Sequence, residues 1–187
     1  MSIPEKPPEP WHSFFTDLDN AVTSPVGLDC IGGFVVTQLY GLSRPTADVD
    51  FIKFASKHDR GIILALGGLG GKLYTKHHVY LDPVTVTTYP ENYEQRLTQM
   101  YAGVYKHLRL LALDPYDLAL TKLERNSQKD RDDVRYLART MPFDLKLLQE
   151  RYRKEMRWQL GRPDREDLTL NLWVEMIEED RALPPNT

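Results

Sequence analysis

A chain of 187 residues, 41% hydrophobic and 27% charged, can bury a proper core and is too apolar for disorder. No apolar run approaches the roughly 20 residues of a membrane span, the opening residues lack the basic head and apolar stretch of a secretion signal, and the lone Cys30 excludes an internal disulfide or a cysteine-based zinc cluster. The net charge of −3 gives no global pull toward nucleic acid, and a cytoplasmic protein without a membrane partner is expected.

In chain order, residues 3–10 carry four prolines and read as a loose leader. A short helix is predicted from about Trp11 to Val22, with Phe14, Phe15 and Leu18 on one face. Residues 26–31 read as a strand ending at Gly32-Gly33, and Phe34 to Tyr40 as a helix stopped by Gly41. Cys30 sits in that apolar strand and reads as a small core residue. Residues 48–54 form a second strand with strict alternation, which sets Asp48, Asp50, Ile52 and Phe54 on one parity. Ser56 is a candidate cap for a helix to about Leu66, broken by the glycines at 67–71.

Two more strands are predicted, over His77–Thr88 and Lys106–Leu113. Asp114-Pro115 opens a helix to about Asn126, with the aspartate as cap and the proline in the first turn. Further helices are predicted near Lys129–Thr140, Asp144–Gln159 and Arg165–Arg181, before the polar tail at 183–187. The expected fold is therefore α+β: a mixed sheet with flanking helices over residues 11–113, and a helical region over 114–187. Residues 120–165 hold 13 Lys/Arg against 8 Asp/Glu. That excess is either a solvated helical surface or a basic face for nucleotide phosphates or RNA.

Chemistry concentrates between Ile31 and Phe51. Aspartates two apart on a strand point to the same side, so Asp48 and Asp50 can both reach one divalent cation. Magnesium favours one or two carboxylates plus phosphate oxygens, which fits a metal–triphosphate complex. Gly32 and Gly33 end a strand and open a helix, where a backbone without Cβ atoms can approach a phosphate. The bland alternatives are a solvated strand face and a simple turn, but two aspartates on one face are costly without a cation. Other signals fail. The stretch Gly67–Lys72 lacks the first glycine and the Ser/Thr of a phosphate loop. His77 and His78 are adjacent, and on a strand they face opposite sides.

This pattern resembles the nucleotidyltransferase superfamily related to DNA polymerase β, whose signature is a Gly-Gly or Gly-Ser pair followed by an Asp-x-Asp/Glu strand. Here residues 34–47 separate the glycines from Asp48, a slightly longer spacing than that family usually shows. The context Arg44-x-Thr46-x-Asp48-x-Asp50 is similar to the toxin-like AbiEii branch and its bacterial and archaeal relatives. A second block, Leu113 to Lys122 followed by Arg125 to Asp133, resembles that branch's helix lysine and later charged motif.

The resemblance implies that Asp48 and Asp50 bind Mg²⁺ or Mn²⁺, and that Gly32, Gly33, Arg44, Thr46 and Lys122 serve the nucleotide. It implies that Asp130 helps with metal or activates the acceptor. The structural reading of the same residues makes Lys122 a helix-surface lysine and residues 129–133 a capping segment with local ion pairs. Many members carry a third carboxylate on a later strand; Asp82 is the acid available here, and beside Pro83 it either lines the site or sits in a turn.

The implied activity is Mg²⁺-dependent transfer of a nucleoside monophosphate from an NTP to an RNA, protein or small-molecule acceptor. The resemblance also raises a toxin-like role with an antitoxin-like partner. The alternative is a catalytically degenerate nucleotide-binding or regulatory module of the same fold.

Overall fold

The computed structural model describes residues 5–54 and 60–183. The expected Ser56 cap, the start of the proline-rich leader and the last four residues of the polar tail lie outside the described residues. The chain divides into two compact units: one comprises the chain up to Val86 with Leu97–Leu113, the other Thr87–Arg96 and the chain from Asp114.

The first unit is built on a mixed five-stranded sheet. Its elements are α1 (Trp11–Ala21), β1 (Val26–Cys30), α2 (Gly32–Gln38), β2 (Asp48–Phe54), α3 (Arg60–Gly67), α4 (Lys72–His77), β3 (Tyr80–Pro83), β4 (Thr98–Met100) and β5 (Leu108–Ala112). The strand order is β3-β2-β1-β5-β4. Every residue of β1 is buried, as its central place demands. It pairs antiparallel with β2 and parallel with β5. On α1 the predicted face is the buried one, and Trp11, Phe15 and Phe34 of α2 form an aromatic cluster with ring centroids 4.9–5.8 Å apart.

A buried carboxylate locks this helix to the sheet. Asp19 accepts hydrogen bonds from the backbone N–H groups of Lys106, His107 and Leu108 at 2.7–2.9 Å. Burial alone would raise its pKa, but the three N–H donors outweigh it and hold the carboxyl below its ordinary value.

Several predicted bounds change. The strand expected over 77–88 shrinks to Tyr80–Pro83, because Lys72–His77 close a helical turn that His78 ends in the left-handed region at φ 59°. The strict alternation expected over 48–54 is broken by a bulge: Leu28 to Cys30 of β1 face Phe51 to Phe54 of β2, two steps against three. β5 is shorter than the strand expected over 106–113, β4 was not predicted, and the helix expected from Phe34 begins at Gly32.

The second unit is helical, and among the described residues no strand follows Leu113. It contains α5 (Pro115–Leu120), α6 (Gln128–Thr140), α7 (Leu145–Arg151) and α8 (Pro163–Ala182), with a 3₁₀ turn at Tyr93–Arg96. Asp114 caps α5 by accepting from the N–H groups of Tyr116 and Asp117. The helix stops at Leu120 rather than near Asn126, since Lys122 and Leu123 donate three residues back and tighten the chain. Past α7 the helix expected to run to Gln159 widens into a π segment (Tyr152–Met156) and then a 3₁₀ turn (Arg157–Gln159). Its buried side chains are Leu148, Tyr152, Met156 and Leu160, one every fourth residue. A 3.6-residue turn would carry that stripe off the core, and the wider π turn compensates.

One ion-pair cluster of this unit centres on Asp117. Arg96 grips Asp117 through two hydrogen bonds and also reaches Glu155, while Arg151 bridges Asp114 and Asp117. No helix among the described residues is long and apolar enough to cross a membrane.

Candidate active site

β2 and β3 run parallel in a register that sets Asp48 beside Tyr80 and Asp50 beside Asp82. Side chains paired this way share a face, so the two aspartates of β2 and the one of β3 gather on one surface of the sheet. One carboxylate oxygen from each of Asp48, Asp50 and Asp82 lies within 4.8 Å of the others, and all three residues are half-buried. Among the described residues no other trio of His, Cys, Asp or Glu comes so close. Oxygens on one Mg²⁺ stand up to about 4 Å apart, so a small inward turn of the side chains would close the trio on a single ion. The donor set is all oxygen, the chemistry that Mg²⁺ and Mn²⁺ prefer.

The glycine pair borders this trio. Gly32 has φ +71°, and a Cβ built on it would stand 2.0 Å from Oδ2 of Asp50. Both the backbone angle and the close approach require glycine, and any side chain would displace the carboxylate. The neighbouring Ile31 N–H donates to the Asp50 carbonyl at 2.8 Å, tying the β1–α2 corner to β2. Gly33 follows, buried in the first turn of α2.

Thr46 donates its hydroxyl to Oδ1 of Asp48 at 2.8 Å, orienting that carboxylate. Arg44 is half-buried in the irregular segment leading into β2. Tyr80, which sequence reasoning did not single out, stands on the same face. Burial and then the charges of Asp48, Asp82 and Asp50 push its phenol above the ordinary value, so it stays a hydrogen-bond donor. Its signal was the two-residue spacing from Asp82, legible only once that segment is known to be a strand. Cys30 is fully buried in β1, and desolvation raises its thiol, in keeping with a core role.

Lys122 and Asp130 belong to the helical unit. Lys122 is only 3% exposed, not a surface residue, and its ammonium lies 2.9 Å from Asp133 and 3.7 Å from Asp130. Asp130, wholly buried, completes a capping box with Ser127 at the start of α6 and accepts two hydrogen bonds from Arg125. Burial works to raise its carboxyl, but Arg125, Ser127 and the charge of Lys122 bring it down to about 2. The structure thus gathers Asp48, Asp50, Asp82, Gly32 and Thr46 in the first unit, and joins Lys122 to Asp130 in the second.

This arrangement, a mixed sheet with a glycine corner against paired carboxylates, has the features of a nucleotide-transfer fold. The family described as "nucleotidyltransferase of unknown function (DUF6036)" matches residues 21–181, and the chain belongs to that family. Comparison with curated proteins and with solved structures gives no match.

Proposed function

We propose that the protein is a metal-dependent nucleotidyltransferase that moves a nucleoside monophosphate from an NTP to an acceptor hydroxyl. The observation that carries this reading is the convergence of Asp48, Asp50 and Asp82 beside the glycine corner. In this reading the three carboxylates hold Mg²⁺ or Mn²⁺, with Thr46 fixing the angle of Asp48. The ion's chemistry is to offset charge on the triphosphate and on the attacking and leaving oxygens.

Gly32 and Gly33 leave room for the phosphates beside Asp50, and Arg44 adds a positive charge on the approach to β2. The acceptor oxygen forms a bond to the α-phosphorus as the bond to the bridging oxygen breaks and pyrophosphate leaves in line. A carboxylate of the trio takes the hydroxyl proton. Lys122 and Asp130 act from the helical unit as scaffold, since their charges are satisfied by each other and by Asp133 and Arg125. The acceptor is an RNA end, a protein side chain or a small molecule. The motif resemblance to toxin-like proteins favours the first two and a neutralising antitoxin-like partner, by analogy alone.

Calorimetric titration of Mn²⁺ and a non-hydrolysable NTP into wild-type protein and an Asp48→Asn/Asp50→Asn variant tests the site. Each lost charge-assisted contact weakens binding about tenfold or more, so the variant should show no metal-dependent nucleotide binding. Unchanged binding would end the proposal. Binding without transfer of label from an α-labelled NTP to any acceptor class would leave the degenerate, regulatory module.

A further inference from the structure

The helical unit carries a surface that the acid site does not use. On the segment 145–160 the buried stripe is Leu148, Tyr152, Met156 and Leu160. Midway between these, on the opposite side of the same winding, fall Lys146, Glu150, Lys154 and Trp158, all exposed. Arg162 follows four residues further on, exposed as well. Arg153 joins Lys146 and Lys154 in lining a shallow open groove with Gln149 and Glu150.

The remaining charges of this stretch are occupied elsewhere. Arg151 turns inward to Asp114 and Asp117, Glu155 to Arg96, and Arg157 to Asp167 with Asp164 nearby. What remains outward is Lys146, Arg153, Lys154 and Arg162 against Glu150, which is paired to Lys154, and against the exposed Asp144 and Asp164 that flank the stretch, with Arg153 also in the field of Asp167. Between Lys154 and Arg162 in this line stands Trp158, 66% exposed, with no ring contact to another aromatic among the described residues.

A tryptophan left in water costs hydrophobic free energy that burial would recover, and this one follows Lys154 and precedes Arg162 at the same four-residue spacing. Cations spaced along a groove follow a phosphate backbone, and an open indole face receives a base. We propose that this stripe is a docking surface for a single-stranded polynucleotide, with a base stacked on Trp158 and phosphates along Arg162, Lys154, Arg153 and Lys146. The surface belongs to the helical unit alone and does not depend on the metal site. An apolar protein partner fits it less well, because the cations would be desolvated against it without compensation.

The protein supplies its own reporter. Trp11 and Trp173 are 3% and 1% exposed, so emission that acrylamide quenches belongs to Trp158. A single-stranded oligonucleotide of about a dozen nucleotides, in ribose and deoxyribose forms, should quench that emission at low salt and shield it from acrylamide. Affinity, read by anisotropy of the labelled oligonucleotide, should fall with salt at a slope of about −2 to −3, as for three or four phosphate contacts. Trp158→Ala should weaken binding about tenfold, Trp158→Phe less, and Arg153→Glu should reduce both affinity and salt slope.

Tighter binding of the ribose form would assign RNA, and equal binding a general single-strand surface; both support the proposal. It is overturned if neither form quenches Trp158, if the variants bind as wild type, or if heparin binds as tightly without touching the indole signal. The Asp48→Asn/Asp50→Asn variant should bind the oligonucleotide unchanged, so the fate of this surface is read separately from that of the acid site.

Discussion

In the helical unit the buried aspartates face cations: Asp117 is held by Arg96 and Arg151, Asp130 by Arg125, and Asp133 by Lys122. In the sheet unit Asp48, Asp50 and Asp82 bring carboxylate oxygens within 4.8 Å of one another. Buried acids matched to bases are fixed parts of the folded state, and removing either partner strands a charge. Acids gathered together cost free energy through mutual repulsion, and a bound cation relieves that cost. The two groups of aspartates should therefore respond to substitution in opposite ways.

The largest effect is expected at Lys122. Lys122→Ala leaves Asp133 buried beside Asp130 and should destabilise the protein by about 3–5 kcal/mol, measured by urea unfolding. A loss below about 1 kcal/mol, within the range of exposed pairs, would favour the helix-surface alternative for Lys122 and blur the contrast.

Next in size is the acid limb of stability. The Asp130 carboxyl sits at about 2 when folded, against an ordinary 3.8. A lowered acid contributes stability that is complete above the unfolded value and is lost as pH falls through the folded one. Asp130 should thus contribute about 2 kcal/mol at neutral pH that disappears between about pH 4 and pH 2. Unfolding curves across that window should steepen for wild type and flatten for Asp130→Asn. Identical pH profiles would remove Asp130 from the matched group.

The smallest stability change belongs to the acid trio. Asp82→Asn should leave stability unchanged or raise it by up to about 1 kcal/mol, because a repulsion is removed. The same variant should weaken Mn²⁺ binding about tenfold by calorimetry. A clear destabilisation would show that Asp82 is a structural acid like those of the helices.

Much of this was legible because periodicity and punctuation carry it. The Asp-x-Asp spacing puts Asp48 and Asp50 on one face wherever the strand pairs, and Asp114-Pro115 marks its helix start by local chemistry. Asp82 stayed ambiguous, since its neighbour Pro83 argues for a turn. What makes it a site residue is its register against Asp50, a non-local fact. The residues before it misled. Val79 and Tyr80 with the later threonines read as one long strand, while the helical turn at 72–77 has too few residues for any period to show. β4 spans three residues and leaves no pattern at all. The burial of Lys122 was equally hidden, because its partner Asp133 comes from the next helix.

The parallel pairing of β2 with β3 also says where this protein can tolerate changes in length. Register in a parallel pair is chosen by the strands, while the connection need only be long enough to return the chain. A residue gained or lost in the described part of the connection, residues 60–79, should therefore not alter which side chain faces Asp50. A deletion inside Tyr80–Pro83 is different in kind, because a slip of one position sends Asp82 to the far side of the sheet. Among relatives that keep the acid trio, insertions should accumulate in the connection and be excluded from the four residues that follow it.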